Sequence, residues 1–505
     1  MAWIVQVLKK QLKTSSRIEA FLMTEKYILA IDQSTQGTKV LLINHQNQIF
    51  FKASLSHQQL INENGWVSHN LNEIKNNLKQ LFKQILEKVD SRQLEAVAIT
   101  NQRESAAAWS RRTGEPLCYT IVWQDNRSEQ LINQITYPEL ARKVKNKTGL
   151  ALSPYFTGAK WGWMLLNEPR VIQAHANNDL CLGTIDSWLV YQLTNGESFK
   201  TEVSNACRTE LMNIKTGTWD QDLGEIFGID LNDLPKIVDS NANFGETNLF
   251  GLIPHKIPIL SVLGDSQAAL FAHECFNPGD FKVTFGTGSS VMLNIGNNLP
   301  KNINNQLNTS LAWSINGKKS YVLEGNINYA GACVTWLKDK LHLIHDPSDT
   351  TMLALTANPN DHTILIPAFA GLGAPYWLPN MKAAFVNMTA TTGKKELVRA
   401  TLNSLVYQIN DILQAFHHFS SQVNSEIHAD GGMIQNKYLM QYLSNITQKN
   451  VKIAEVAELS ALGTAMNSMQ QFDGMHYSKT YIPRMDKHAA NKYSSEWSSW
   501  IKKLS

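Results

Sequence analysis

The chain has 505 residues, with 46 Lys and Arg against 43 Asp and Glu. That length exceeds what one hydrophobic core serves and suggests roughly two to four domains, while so even a charge balance provides no field that would call for nucleic acid or an anionic membrane as partner. Cysteines at 118, 181, 207, 275 and 333 stand far apart and are odd in number, which speaks against a disulfide framework or a zinc site and for a reducing, cytoplasmic setting.

In chain order, residues 1–22 mix apolar and basic character, Lys9 and Lys10 interrupt the apolar part, and no small-residue cleavage site follows; they do not read as a signal peptide. Met23 stands just ahead of the first strand, so residues 1–23 are expected to be an extension outside the working protein or a frayed helix. No run anywhere reaches the roughly 18 apolar residues of a membrane span.

Residues 27–42, YILAIDQSTQGTKVLL, alternate an apolar run, a polar turn and a second apolar run, the pattern of a strand hairpin. Asp32 leaves the first strand, Thr35, Gln36 and Gly37 sit in the turn, and Lys39 enters the second strand. Backbone N–H groups in such a turn can form an anion-binding concavity, and an aspartate beside it can hold a cation through its waters. That suits a Mg-nucleotide, although a plain polar hairpin explains this stretch alone equally well.

A third strand is predicted over residues 48–55, an amphipathic helix over 72–89 with Ile74, Leu78, Leu81, Phe82, Ile85 and Leu86 on one face, and a buried strand over 94–100. This is an α/β beginning. Arg103 and Glu104 follow that strand, where ligands of open α/β sheets bind, although two charged residues without other context read first as a surface ion pair. A strand over 120–123 ends at Trp123, and Tyr155 precedes another helix; together they wall a pocket or simply fill core.

Residues 248–259 read as loop, with Pro254 and Pro258. A strand over 259–263 then leads to Asp265, which reads as the N-cap of a helix. Capping accounts for Asp265 completely, yet a carboxylate at a strand end also meets the first requirement of a general base. A second hairpin follows, 281–285 and 291–295 around Gly286-Thr287-Gly288-Ser289-Ser290. Two such hairpins about 250 residues apart suggest two related domains, each presenting a phosphate loop to a shared cleft.

Further on, a strand is expected over 321–325, a helix opening at Gly331, a strand over 364–369 before the irregular loop 371–377, and a long helix over 395–416. A strand over 426–429 leads into Asp430-Gly431-Gly432 and Asn436, a strand-to-helix turn that lets a nucleotide lie against backbone. No GxxxxGK[ST] run occurs, which disfavours a Walker-type site.

Nine stretches in this order, MTEKYILAIDQSTQGTK, ITNQRESAAAW, IVWQDNR, PYFTGAKW, GTIDSWLVYQLT, GDSQAALF, TFGTGSS, PAFAGLGAPYW and DGGMIQN, give the chain from Met23 onward a resemblance to the FGGY carbohydrate kinases, most of all to those acting on glycerol. The resemblance implies an α/β fold of two ribonuclease-H-like domains of the actin and hexokinase superfamily flanking a cleft, 24–272 with the substrate and first phosphate loop and 273–505 with the nucleotide. It implies ATP, Mg2+ and a small polyol or sugar, with no nucleic acid or membrane partner and homo-oligomer formation left open. Asp265 matches the general base and, with Asp32, the metal carboxylates. Arg103, Glu104 and Tyr155 match groups on the polyol hydroxyls, and Trp123 an aromatic along its carbon chain. Thr35, Gln36, Gly37, Lys39, Gly286 and Thr287 match the phosphate loops; Gly331, Thr335, Gly432 and Asn436 match positions around the nucleoside.

Two departures fall in the acceptor pocket. Glycerol-using members usually have Gln where this chain has Ser266 and an aromatic where it has Ser290. Both changes remove bulk and leave hydroxyls, so an acceptor larger than glycerol, a tetritol, pentitol or pentulose, is the alternative expectation. In the nucleotide site Lys39 stands for an Arg and Thr335 for a Gln, which is expected to weaken ATP binding without removing the chemistry. A non-catalytic ATP-binding regulator would be expected to have lost a key carboxylate, whereas Asp32, Arg103, Glu104 and Asp265 are all present.

Overall fold

The structure, a computed structural model, describes residues 25–300, 306–420, 422–469 and 473–505. The expected extension over 1–23 lies outside the described residues.

Two sheets organise the chain. The first contains β1 (Tyr27–Gln33), β2 (Gly37–Ile43), β3 (Ile49–Ser56), β4 (Leu94–Asn101), β5 (Gly245–Thr247) and β6 (Ile257–Gly264) in the order β5-β6-β4-β1-β2-β3. The second contains β7 (Phe281–Phe285), β8 (Ser289–Gly296), β9 (Asn308–Ile315), β10 (Lys318–Ile327), β11 (Glu426–Gly431), β12 (Asn450–Ala454) and β13 (Tyr477–Tyr481) in the order β9-β10-β8-β7-β11-β12-β13. Apart from β9, both follow one path. An antiparallel run (β1-β2-β3; β7-β8-β10) continues through two parallel strands (β4, β6; β11, β12) to an antiparallel edge (β5; β13). The duplication expected from the two hairpins is therefore present in the topology.

Every residue of β1 is buried, as a strand covered on both faces requires, whereas β3 alternates between partly buried and exposed positions at its edge. Helix α1 (Leu71–Leu86) covers one face with Ile74, Leu78, Leu81, Phe82 and Ile85, and the Asn70 side chain caps it by accepting from the Asn72 N–H. It ends before residue 89 because the chain turns into a short 3-10 segment opened by the Asp90 capping box. Helices α2 (Thr157–Asn167), α3 (Asp265–Ala272), α4 (Gly331–Asp339), α5 (Lys394–Phe419), α6 (Lys437–Thr447) and α7 (Leu459–Ser468) include those that position the site.

Helices α3 and α7, each following the last parallel strand of its sheet, cross in contact. A Cβ at Gly463 would stand 1.8 Å from the Ala268 carbonyl oxygen, so only glycine permits this approach. The Thr464 hydroxyl donates to the Ile99 carbonyl (2.8 Å), and Asn467 Nδ2 donates to Ser261 Oγ (2.8 Å), seating α7 on the first sheet. Between the sheets lies a core of small and apolar residues, among them Ala30, Ala98, Leu263, Leu270, Leu462 and Met466.

Some boundaries differ from expectation. Only Thr120–Ile121 is strand, because the chain turns at once, with the Asp125 N–H donating to the Val122 carbonyl. Pro258 lies inside β6 rather than in a loop, opposite Glu246 of the short strand β5. The strand expected over 364–369 stops at Ile366, where Pro367 has no N–H to donate. Among the described residues no helix is long and apolar enough to cross a membrane.

Candidate active site

The β1–β2 turn carries Asp32 opposite Lys39 in register, and Asp32 also lies beside Thr100 of β4. The Ser34 N–H and hydroxyl both donate to the Gly37 carbonyl at 3.0 Å, closing the turn. A Cβ at Gly37 would meet the Leu55 carbonyl oxygen of β3 at 2.8 Å. Lys39 does not neutralise Asp32 fully: its ammonium is drawn 2.7 Å from Glu458, which also holds Lys52 at 3.0 Å. Burial pushes the Asp32 carboxyl up to about 7, with Lys39 opposing and nearby Asp265 and Glu458 adding to the rise.

The β7–β8 turn is the counterpart. Gly286 and Thr287 are stapled to the start of α4: the Gly331 N–H donates to the Gly286 carbonyl and the Ala332 N–H to the Thr287 carbonyl, both at 3.0 Å. A Cβ at Gly331 would stand 2.7 Å from the Gly286 oxygen. Thr335 lies one helical turn on and donates to the Gly331 carbonyl (3.3 Å). The next strand over, β11, pairs Gly431 with Phe285, so exposed Gly432 follows at the same edge of the sheet, with open space where a Cβ would be. Asn436 is engaged in structure: Oδ1 caps α6 by accepting from the Leu439 N–H (3.0 Å), and Nδ2 donates to Thr350 (2.9 Å).

Asp265 is the first residue of α3, not its cap. Gly264 caps, and Asp265 Oδ1 accepts from the Ser266 N–H at 2.7 Å. Glycine suits position 264 because a Cβ there would stand 2.8 Å from Cγ and Cδ of Arg103, which passes across it. The surface-pair reading of Arg103 and Glu104 also fails, since both are buried. Arg103 Nε lies 3.4 Å from Asp265 Oδ1 and 3.9 Å from Glu104 Oε1, its Nη1 donates to Gln267 Oε1 (3.2 Å), and its Nη2 to Glu324 Oε1 (2.9 Å). Glu104 takes a left-handed backbone, φ 62, and accepts from Arg208 Nε at 2.5 Å. Arg208 Nη1 lies 2.8 Å from Glu324 Oε2, and the Ser290 hydroxyl donates to Glu324 Oε1 (3.2 Å).

Electrostatically this is a closed set of buried charges with one member facing out. Asp265 has 41% of its side chain exposed, against 6% for Arg103 and none for Glu324. Burial raises the Asp265 carboxyl above its ordinary range, and Arg103 partly offsets the rise. Burial works against ionised Glu324 too, but Arg103 and Arg208 outweigh it and hold the carboxyl at about 2.

An aromatic wall borders the first turn. Trp123 Nε1 donates to Thr35 Oγ1 (2.9 Å), and its ring meets Tyr155 edge-on at 5.8 Å. Fully buried Lys160 of α2 holds the backbone behind that wall, its ammonium donating to the Tyr155 and Phe156 carbonyls. The Ser266 N–H donates to Asp265, and its hydroxyl makes no hydrogen bond among the described residues.

The structure thus brings together Asp265, Arg103, Glu104 and Ser290 through the ion network, Thr35, Trp123 and Tyr155 along the wall, and Gly286, Thr287, Gly331 and Thr335 at the second turn. Gln36 is in the first turn, and Gly432 and Asn436 are on the neighbouring turn. Sequence reading missed Arg208, Gln267 and Glu324. The available signal was Glu324 itself, a lone carboxylate inside the apolar run YVLEG, because a charge in a buried strand requires a partner.

Residues 27–272 match the model of the N-terminal domain of the FGGY family of carbohydrate kinases, and residues 281–470 that of its C-terminal domain. The chain is 40% identical over 490 residues to glycerol kinase 1 of Thermotoga maritima, covering 95% of this chain and 99% of the relative. It is 40% identical over 445 residues to the glycerol kinase of Sinorhizobium fredii, covering 87% and 89%. The crystal structure of Plasmodium falciparum glycerol kinase with ADP superimposes with a TM-score of 0.89 at 31% identity, over 95% of this chain and 98% of that one.

Proposed function

The chain belongs to the FGGY family of carbohydrate kinases, and we propose that it transfers the terminal phosphoryl group of ATP to a primary hydroxyl of glycerol, with Asp265 as general base. The carrying observation is the Asp265 carboxylate, exposed at the end of β6 while Arg103 Nε at 3.4 Å fixes its other side. A base must be within hydrogen-bond reach of the proton it takes, and a carboxyl raised toward neutrality takes it more readily. Asp265 accepts the proton of the attacking hydroxyl. Arg103, Glu104 and Tyr155 bind the acceptor's hydroxyls, and Trp123 lies along its carbon chain.

The first turn, through Thr35, Gln36, Gly37 and Lys39, and the second, through Gly286 and Thr287, hold the phosphates. Gly331, Thr335, Gly432 and Asn436 surround the nucleoside, where Gly432 leaves backbone accessible. Phosphoryl transfer asks mainly for alignment and neutralisation of charge, which two glycine-bearing turns and one exposed carboxylate can supply.

Asp32 and Asp265 fit Mg2+, an ion usually held by one or two carboxylates together with substrate phosphates and water. Burial raises both carboxyls, and Asp265 adds to the rise at Asp32, a condition a cation relieves. When bound, the ion supplies neutralisation of phosphate charge. Among the described residues no group of three or more His, Cys, Asp or Glu forms a metal cage, so the nucleotide completes the ligand set in this reading.

A larger acceptor is the second reading, favoured by the uncommitted Ser266 side chain and by Ser290, whose small hydroxyl sits directly on Glu324. The test is ATP consumption across glycerol, four-carbon polyols, and five-carbon polyols and ketoses, with Asp265→Asn alongside. Preference for glycerol, abolished in the variant, supports the first reading; preference for a longer acceptor supports the second. Turnover on none of them contradicts both.

A further inference from the structure

Behind Asp265 the protein removes two guanidinium groups and two carboxylates from water: Arg103, Arg208, Glu104 and Glu324 are all buried. A buried ionic set of this kind is often no more stabilising than apolar residues of the same volume, and here Arg208 Nη2 is left buried without a partner among the described residues. Stability alone does not account for such an arrangement; its geometry does.

Glu324 stands at the junction. It comes from β10 of the second sheet, whereas Arg103 follows β4 of the first sheet and Arg208 follows the short helix Val203–Ala206. Its Oε1 takes Arg103 Nη2 at 2.9 Å, and Oε2 takes Arg208 Nη1 at 2.8 Å and, more loosely, Arg103 Nη1 at 3.5 Å. On the other edge of each guanidinium, Nε of Arg103 reaches Asp265 at 3.4 Å and Nε of Arg208 reaches Glu104 at 2.5 Å. A guanidinium is a rigid planar fork, so fixing one edge fixes where the other points.

We infer that Glu324 is a positioning residue for phosphoryl transfer: through Arg103 it orients Asp265 toward the acceptor hydroxyl, and through Arg208 it orients Glu104 for acceptor binding. This rests on the kinase reading above. Because Glu324 belongs to the second sheet and the groups it aims belong to the first, the register of the two sheets at this point sets the position of the base. The Ser290 hydroxyl, donating to Glu324 Oε1 at 3.2 Å, holds the same carboxylate from the side of the second turn.

The arms are separable by steady-state kinetics on the full chain, with circular dichroism melts to check folding. Glu324→Gln keeps the shape but weakens both forks. Misplacing a reacting group by an ångström can cost about 100-fold, so kcat is expected to fall about 10- to 100-fold and the acceptor KM to rise several-fold, while the ATP KM stays within about two-fold. Arg208→Lys cannot serve Glu104 and Glu324 together; it should raise the acceptor KM about 10-fold with kcat within about two-fold. A merely structural Glu324 would lower the folded fraction and leave both KM values unchanged. That result, or a Glu324→Gln enzyme kinetically equal to the parent, overturns the inference. Should Glu324→Gln not fold, an unchanged acceptor KM in Arg208→Lys overturns it and a raised one upholds it. Absence of turnover in the parent on every acceptor would instead reject the kinase reading, and the inference with it.

Discussion

Each sheet pairs an aspartate with a threonine across one parallel rung, and the two rungs behave oppositely. In the first sheet Asp32 of β1 lies beside Thr100 of β4; in the second Thr284 of β7 lies beside Asp430 of β11. Both acids are buried. Burial carries Asp32 up to about 7, since Lys39 is shared with Glu458. Asp430 feels the same burial, but Lys282 and His273, the latter 2.9 Å away, outweigh it and hold the carboxyl below its ordinary range. A repeated scaffold therefore does not repeat its chemistry. One acid is left in want of a cation beside Asp265, and the other is already compensated.

The sharpest way to break this contrast is to remove each acid. Asp430→Asn strips a buried pair of one partner and should destabilise the fold by about 3–5 kcal/mol, seen as an earlier urea or thermal transition. A parent-like melt would mean that Asp430 is not compensated by its neighbours. Asp32→Asn should go the other way in metal-free buffer. Because the folded Asp32 carboxyl lies above its unfolded value of about 3.8, its ionisation opposes folding, absent at pH 4 and complete above pH 7. The variant should thus gain stability relative to the parent as pH rises through 4 to 7, while losing turnover. Melts over that range test it, and a variant less stable than the parent at pH 8 contradicts it. Asp430 has the reverse sign: its lowered carboxyl contributes stability above its unfolded value, lost as pH falls through the folded one.

Smaller effects sharpen the comparison at the strand ends. The last parallel strand finishes in Gly264 in the first sheet and in Ala454 in the second. Gly264→Ala should cost about 1–3 kcal/mol from crowding Arg103 and raise the acceptor KM; an unchanged KM would show that Arg103 can shift freely. Ser290→Ala removes one hydrogen bond to a charged group, and about 1.5–3 kcal/mol is the ceiling for such a loss. With Glu324 still held by two arginines, a change in kcat/KM under about 10-fold is expected. Complete inactivation would mean that Ser290 has a larger role than steadying Glu324.

Much of this was legible in the chain because it is local. A short β-rich run, a glycine-bearing polar turn and a second run define each hairpin, so Asp32 and the two polar turns could be placed at strand ends from spacing alone. The long helix α5 followed from its apolar period. What escaped depends on contacts far apart in sequence. Arg103 and Glu104 read as a surface pair because nothing near them reveals Glu324 or Arg208, which arrive from elsewhere in the chain to bury them. Asp265 read as an N-cap because the residue type suits that position; that a glycine precedes it to clear Arg103 depends on a contact distant in sequence. Trp123 read as strand because its neighbours are apolar, whereas the turn at Val122–Asp125 draws it out to meet Thr35.

The most direct test of the account is to follow ATP, Mg2+ and glycerol by phosphorus NMR with the parent chain and with Asp265→Asn. Transfer to the polyol with Asp265 as base should give a growing phosphomonoester resonance in the parent and a rate about 10²- to 10⁴-fold lower in the variant. An ester formed equally fast without the carboxylate would contradict Asp265 as the base, and release of inorganic phosphate alone by the parent would contradict transfer to the polyol.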